Sequence, residues 1–411
     1  MRGNMEDVRY RDRKFLRPGF TTGTCAAMAG KAAVTALLTG CFPDHVSVVT
    51  PAGKTVTAVV ENVLLGVRED GGKVFRCAVR KDAGDDPDVT DGLLIYCQAE
   101  FYCQADSACG EAEAGQILIR GGAGIGRVTK PGLDQPPGEA AINSVPRAML
   151  RAEAAALLEE AGETRTVLLT VSAPGGEEIA KKTFNPVLGI VGGISILGTS
   201  GFVEPMSDEA LTDTIFAQLK VLRAAGRRCF AAVPGRLGAV CLRERIGEIP
   251  EDEIVVCSNF IGKTVDMAAE LGFTGMVLCG HLGKLVKLGC GIMNTHSREG
   301  DGRMDTLVSC CLEAGAELSF LKKIFHANTT EEAFSFIREE GLSEEVTEIL
   351  LKRISHYLGH RAPEGFQTGV LLFSQEGGFL GSSAGTDALA RRLLMEAEER
   401  RKENVHGRNE T

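Results

Sequence analysis

The chain reads as an α+β domain, mostly an antiparallel sheet with helices, followed by a Rossmann-like parallel α/β domain. Three observations predict this. Period-two apolar runs joined by tight-turn sequences fill the first half. From residue 207 onward, helical and strand-like stretches alternate, which is the rhythm of parallel βαβ units. Between them lies NPVLGIVGGISILGTSGFVEPMS, residues 185–207, where five glycines interrupt strand-forming Ile, Val and Leu. A length of 411 residues favours two domains. The sequence places them at 14–184 and 185–385, with a charged helix and tail over 386–411.

The elements follow in order. An Ala-rich helix fits Thr22–Leu38, opened by the hydroxyls of Thr21, Thr22 and Thr24. Strands fit 45–50, 54–61, 74–80, 93–100 and 116–120, and the turns PAGK (51–54), EDGGK (69–73) and APGGE (173–177) suggest hairpins. A helix over 144–160 carries Pro146 near its first turn, where proline is tolerated, and a strand fits 166–172. The Gly-rich segment ends as a strand over 194–197, a loop, and a helix over 207–225 opened by Ser207 with Asp208 and Glu209. Strands over 229–233, 254–257 and 275–279 alternate with helices over 236–245 and 262–271. Helices over 305–318, 330–340 and 343–358 and a strand over 368–373 complete the second half.

Composition narrows the function classes. The apolar fraction of 44% supports sizeable cores, yet no run of ~20 apolar residues suggests a membrane span. The N-terminus, MRGNMEDVRYRDRKF, is charged and lacks a signal core, so a cytoplasmic protein is expected. A net charge of −10 and the absence of Trp disfavour nucleic acid as a partner. None of the thirteen cysteines forms a CxxC, and Cys97, Cys103 and Cys109 are too widely spaced for a metal knuckle, so no protein-bound metal is expected. A homo-oligomer is compatible with the sequence.

Several motifs could carry chemistry. KDAGDDPDVTDG, residues 81–92, holds five aspartates but fails the calcium-loop pattern, because counting from Asp86 puts Cys97 where a bidentate Glu belongs. It reads as a turn-rich loop or as a site with a general base. GFTTGTCAAMAGKAA, residues 19–33, offers a helix N-terminus suited to an anion, or simply a well-capped core helix, and Thr24 or Cys25 as a nucleophile with no base beside it in sequence. GGAGIGRVTKPGL, residues 121–133, resembles a dinucleotide loop only superficially: Arg127 stands where the last glycine is needed. Gly262-Lys263-Thr264 lacks the earlier P-loop glycine, since 257 is Cys. CGHLGKLVKLGCGIMNTHS, residues 279–297, follows a strand and combines His281, Lys284, Lys287 and His296. That set leans toward an anionic ligand.

Six segments in this order, TTGTCAA, KDAGDDPDVTDG, GGAGIGRVTKPGL, AINSVPRAML, NPVLGIVGGISILGTSGFVEPMS and HLGKLVKLGCGIMNTHS, resemble the cobalt-precorrin-5B C1-methyltransferase family of anaerobic cobalamin biosynthesis, from about Leu16 to about Gly385. Two positions depart from the family pattern: Asp91, where a His is expected after DPDVT, and Cys290, where a small residue such as Ala is expected. The resemblance implies methyl transfer from S-adenosylmethionine to C1 of cobalt-precorrin-5B, giving cobalt-precorrin-6A, with cobalt present only as part of the substrate. In that light Gly192, Gly193, Ser195, Gly198, Thr199 and Glu204 become candidates for holding S-adenosylmethionine. Thr22, Thr24, Lys81, Asp85, Arg127, Lys130, Lys284, Lys287 and His296 are candidates for the polycarboxylate tetrapyrrole, and Asp86 and His281 for a catalytic base. The rival readings are an acyl-transfer enzyme or hydrolase using Thr24 or Cys25, and a corrinoid carrier without catalysis.

Overall fold

A computed structural model describes residues 9–11, 14–102, 115–375 and 378–407. Cys103 and Cys109 lie outside the described residues. The chain divides into two compact units, Met1–Ala210 and Leu211–Thr411. Sheets of mixed strand orientation and flanking helices make the class mixed α/β. No helix among the described residues is long and apolar enough to cross a membrane.

The first unit runs β1 (Arg9–Arg11), β2 (Lys14–Leu16), β3 (Gly19–Phe20), α1 (Thr22–Thr39), β4 (His45–Val49), β5 (Thr55–Val59), β6 (Glu61–Val67), β7 (Lys73–Arg80), β8 (Leu94–Phe101), β9 (Ile117–Gly121) and β10 (Arg127–Val128). It continues with α2 (Ser144–Ala161), β11 (Val167–Ser172), α3 (Gly176–Ala180), α4 (Asn185–Leu188), β12 (Ile190–Val191) and β13 (Phe202–Val203). Its main sheet has the order β6-β7-β8-β11-β9, antiparallel except for the β11–β9 pair. The helix α1 lies against it because its small residues permit close contact. A Cβ at Gly30 would lie 2.4 Å from Leu150 of α2, and the Cys77 thiol of β7 reaches the Ala29 carbonyl at 3.3 Å. Ala26, Ala29, Ala33, Cys77, Cys97, Leu150 and Leu169 share this core.

Four expectations for this unit change. The run expected as one strand over 54–61 is two strands with different partners, β5 against β4 and β6 against β7. Beside the break, Asn62 takes φ +49 at a register shift, and Asn tolerates that left-handed turn. APGGE leads into α3 rather than a hairpin. Residues 194–197 form isolated bridges from Ile194 to Ile125 and from Ile196 to Ile142 instead of a strand. Finally, the Gly-rich segment belongs to the first unit: β12 pairs with β10 and β13 with β3. The division thus falls after this segment, whereas the sequence places it before. These pairings join residues far apart in the chain, and local pattern does not show them.

The helix α5 (Asp208–Ala224) begins at the end of the first unit. The second unit contains β14 (Cys229–Val233), α6 (Arg236–Ile246), β15 (Ile254–Val256), α7 (Ile261–Glu270), β16 (Gly275–His281), α8 (Leu282–Leu285), α9 (Arg303–Glu313), α10 (Leu318–Phe325), α11 (Thr330–Glu339), α12 (Ser343–Arg361), β17 (Gln367–Ser374), β18 (Gly378–Ser382) and α13 (Thr386–Gly407). Its sheet order is β15-β14-β16-β17-β18, parallel but for the last pair. Both faces are covered, so β14 is an unbroken buried run. Phe230, Ala232, Met276 and Leu278 enter the core with α7 and α9–α12, while Cys229, Ala231, Val233, Val277 and Cys279 face α6 and α13. The expected helix over 305–318 ends at Glu313, because Gly315 turns left-handed (φ +81), and a separate α10 begins at Leu318. The C-terminal helix is no mere charged tail: Leu389, Ala390 and Leu393 are buried.

Candidate functional site

The hydroxyls and N–H groups at the start of α1 suit either an anion or a well-capped core helix. In the structure the Gly-rich segment takes them. Thr21 caps the helix by accepting from Thr24 N–H at 3.2 Å. Thr22 Oγ1 accepts from Leu197 N–H at 3.0 Å and lies 3.2 Å from the Ser195 carbonyl. Gly23 N–H donates to the Leu197 carbonyl at 2.9 Å, Thr21 N–H to the Gly201 carbonyl at 3.1 Å, and the Thr24 hydroxyl to that same carbonyl at 2.8 Å. Thr22 and Thr24 are therefore structural clasps. Cys25 is fully buried, and desolvation pushes its thiol up to about 12, so it holds no thiolate at neutral pH. Burial of both Thr24 and Cys25 argues against the acyl-transfer reading.

All of the segment's glycines but Gly192 approach protein rather than open space. A Cβ at Gly193 would lie 2.3 Å from the Gly124 carbonyl oxygen, and one at Gly198 2.2 Å from Thr21 Oγ1. Gly192 (φ +78) meets nothing within 4 Å. Ser195 is buried and donates to Asn185 Oδ1 at 3.2 Å, while Asn185 Nδ2 donates to the Gly193 carbonyl at 3.0 Å. Thr199 is exposed.

The five clustered aspartates each meet a donor, which resolves the repulsion their sequence suggests. Asp82 receives both guanidinium nitrogens of Arg17 at 2.7 and 2.8 Å. Asp85 accepts from Arg17 N–H at 2.6 Å, Asp86 from Met206 N–H at 2.8 Å, and Asp91 from Ala83 N–H at 2.8 Å. Asp88 accepts from the Thr90 N–H and hydroxyl and lies 3.1 Å from Lys81 Nζ. The Lys81 ammonium is buried against the Asp88 carboxylate as an ion pair. Burial pushes the Asp88 carboxyl up, but Lys81 and the two Thr90 bonds outweigh it and hold its pKa below the ordinary 3.8. Asp86 shapes a turn: Met206, whose N–H it holds, sits at φ +56 just before α5. The basic candidates nearby also serve the backbone, with Arg127 bonded to the Gly138 carbonyl and Lys130 to the Val187 carbonyl at 3.1 Å.

One concavity of about 200 Å³ opens in this unit, lined by Pro18, Ala52, Lys54, Ser200, Phe202, Glu204 and Pro205. It brings together the end of the Gly-rich segment and the β4–β5 turn. Lys54 Nζ sits 5.4 Å above the Phe202 ring. Sequence reasoning reached Glu204 but missed Lys54 and Phe202; the turn PAGK was visible, but its pairing with residues 200–205 was not.

In the second unit, the stretch after β16 splits by role. His281 ends β16, and its Nε2 is buried with no partner among the described residues. Lys284 is half-buried, and its Nζ reaches the Pro234 carbonyl at 3.4 Å. Desolvation lowers its pKa. The three-residue spacing suggests one helical face for Lys284 and Lys287, but Lys287 is buried and donates to the carbonyls of Gly300 (2.9 Å) and Thr295 (3.2 Å), so it pins a loop. His296 turns its Nδ1 to the Arg298 N–H at 3.2 Å. Gly235 and Ser258 were missed: both follow strands of the parallel sheet, and Ser258 holds φ +52. Among the described residues no group of three or more His, Cys, Asp or Glu is placed to hold a metal ion.

Comparison with known proteins gives the family. The CbiD model matches residues 9–205 and the model of the CbiD C-terminal domain matches 294–384. The chain is 42% identical to the cobalt-precorrin-5B C(1)-methyltransferase of Ruminiclostridium cellulolyticum, over 90% of this chain and 92% of that protein. It is 43% identical to that of Thermoanaerobacter sp., over 82% and 87%, and 36% identical to that of Clostridioides difficile, over 94% and 99%. A crystal structure of the cobalamin biosynthesis protein of Archaeoglobus fulgidus is similar at 26% identity, covering 83% of this chain and 95% of that one with a TM-score of 0.35. With sequence likeness running through both units at this level, the chain belongs to the CbiD family, the cobalt-precorrin-5B C(1)-methyltransferases.

Proposed function

We propose that this protein transfers the methyl group of S-adenosylmethionine to C1 of cobalt-precorrin-5B, yielding cobalt-precorrin-6A in anaerobic cobalamin biosynthesis. The observation that carries this is the 42% identity across 90% of the chain to a relative of that name. Cobalt enters as part of the substrate. The described cysteines are free thiols, which supports a reducing, cytoplasmic setting. The order β15-β14-β16-β17 supports reading the second unit as Rossmann-like.

The methyl donor supplies an electrophilic methyl on a sulfonium and carries no phosphate, so the missing phosphate loops are no obstacle. The pocket at residues 200–205 has the chemistry to hold one end of it. Phe202, Pro18 and Pro205 offer apolar walls, Glu204 an acceptor for a ribose diol, and Lys54 a cation for a carboxylate. Its volume of about 200 Å³ is less than a whole drug-sized ligand needs, so these residues would hold part of the molecule. Charge is neutralised as the methyl moves, so the residues' main contribution is alignment, worth up to ~7–11 kcal/mol in favourable cases. For proton exchange with the macrocycle, His281 is favoured over Asp86. Its Nε2 has no partner among the described residues, whereas Asp86 already holds the Met206 turn.

Incubation with cobalt-precorrin-5B and isotope-labelled S-adenosylmethionine tests this reading. One labelled methyl at C1 and one equivalent of S-adenosylhomocysteine are expected. Binding of the tetrapyrrole with no homocysteine product would make the protein a carrier instead.

A further inference from the structure

Within the second unit the chain reverses direction across the sheet between β14 and β16. It leaves β14 through α6 to reach β15 on one side, then returns through α7 to β16 on the other. At such a reversal the loops after the two strands part, leaving a crevice at their carboxyl ends where sheets of this kind take ligands. A Cβ at Gly280 would lie 3.2 Å from Pro234, so the strand ends approach closely beneath it. Extending the register in which Ala232 faces Leu278 sets Gly235 level with His281.

The residues around this crevice lack what a nucleoside requires. In nucleoside-binding sheets an acid beyond the second strand accepts the ribose hydroxyls. Here β15 is followed by Cys257, Ser258 and Asn259, and Asn259 Oδ1 already accepts from the Thr295 hydroxyl at 3.2 Å. What the crevice does carry is positive or unsatisfied. The helix α6 opens with Arg236 and Leu237, no acid in its first turn and no side-chain cap. The Arg236 and Leu237 N–H groups and the dipole favour an anion. Lys284 has only the Pro234 carbonyl, at the outer limit of a hydrogen bond, and no acidic partner among the described residues. His281 Nε2 is buried and has no partner among the described residues. Gly235 is fully extended (φ 177), and a Cβ there would meet nothing within 4 Å, so the space beside these donors is open.

We propose that this crevice seats a carboxylate of the tetrapyrrole rather than the methyl donor, with Lys284 and the first turn of α6 as its binding groups. The inference rests on the substrate named under the proposed function. It also separates the two ligands by chemistry: the tetrapyrrole is a polyacid, whereas the donor sets a single carboxylate against a sulfonium and an ammonium, so a cationic crevice favours the tetrapyrrole.

Two variants of the full chain test this, each sufficient alone. Lys284→Met removes the charge and keeps the stem. Gly235→Leu suits an extended backbone with open space beside it, so it blocks the crevice without straining the fold; circular dichroism and melting verify both. Cobalt-precorrin-5B is titrated by visible absorbance at several salt concentrations and S-adenosylmethionine by calorimetry. The expected result is a tetrapyrrole Kd raised by roughly 10- to 100-fold in each, as for loss of a charge-assisted contact. Lys284→Met should also flatten the salt dependence, Lys284→Arg should recover part of the affinity, and donor affinity should stay within about twofold. Weakened donor binding with unchanged tetrapyrrole binding would overturn the proposal in favour of a nucleoside site. Unchanged binding of both, in a wild-type protein that methylates, would overturn it while leaving the proposed function intact. A wild-type protein that does not bind the tetrapyrrole overturns both.

Discussion

The Thr22 hydroxyl receives the Leu197 N–H at 3.0 Å, joining residues 175 positions apart. Around that contact the start of α1 also bonds the carbonyls of Ser195, Leu197 and Gly201. The segment with the highest glycine density is thus first a clasp, and its far end, at residues 200–205, lines a cavity.

Glycine substitutions should separate these roles. In Gly193→Val the new Cβ would meet backbone atoms of Gly124 and Ile125 that no rotamer change can move. A loss of about 3 kcal/mol is expected in urea unfolding, at the upper end of overpacking costs. Gly192→Ala has open space and should lose only about 1–2 kcal/mol, the cost of a left-handed backbone. Equal losses for the two would contradict the packing assigned to Gly193.

The Lys81–Asp88 pair should behave as a buried charge that tolerates no widowing. Asp88→Asn leaves the buried ammonium without its counter-charge. Breaking a fully buried pair costs about 3–5 kcal/mol, and somewhat less is expected here because Asp88 keeps 24% of its side-chain surface exposed. The double variant Lys81→Met/Asp88→Asn should recover part of that loss. The folded pKa of Asp88 lies below 3.8, so its contribution is complete above that value and disappears as pH falls through the lower folded one. Acid unfolding of the wild type should therefore show a component below pH 3.8 that the double variant lacks.

Thiol chemistry gives a direct check on catalysis. With its thiol pushed up to about 12 and no exposed surface, Cys25 should resist iodoacetamide at pH 8, while exposed Cys41 reacts. Cys25→Ala should keep methyl transfer within about twofold, since a small buried side chain is exchanged for another. Abolished turnover in a folded Cys25→Ala protein would restore the nucleophile reading.

The pocket at Glu204 predicts an effect on donor binding. Glu204→Gln should weaken S-adenosylmethionine by roughly tenfold, the scale of one charged hydrogen bond to a diol. Tetrapyrrole affinity should be unchanged. Calorimetry on the folded variant decides it, and an unaltered donor affinity would move the donor away from residues 200–205.

Local pattern made most elements legible. The strand 229–233 matches in full and the helix from Thr22 extends only one residue further, because a continuous apolar run and a hydroxyl cap are read over a few residues. Distance in sequence hid the rest. Arg17 with Asp82, Asp86 with Met206 and Ile142 with Ile196 pair across long stretches, so the aspartate loop looked like surplus charge and the Gly-rich segment like the start of a new domain. Spacing misled at Lys287: three residues from Lys284, it lies on a 3-10 turn that buries it beneath the Gly300 and Thr295 carbonyls. The edge strand β18 is short and Gly-bearing, with too little pattern to notice.

The clasp between α1 and residues 195–201 also sets an order of events during synthesis. A ribosome adds about 5–20 residues per second, so on the order of ten seconds or more separates the appearance of Thr22 from that of Leu197, 175 positions later. Through that interval the Thr22 hydroxyl and the Gly23 N–H lack the partners they hold in the folded unit. The first unit is sealed by its own last-made residues, and a transcript that stalls before codon 201 yields a chain whose earliest helix never acquires its lid. The second unit is not bound by this delay: β14, β15 and β16 pair as neighbours within some fifty codons and can assemble as they emerge.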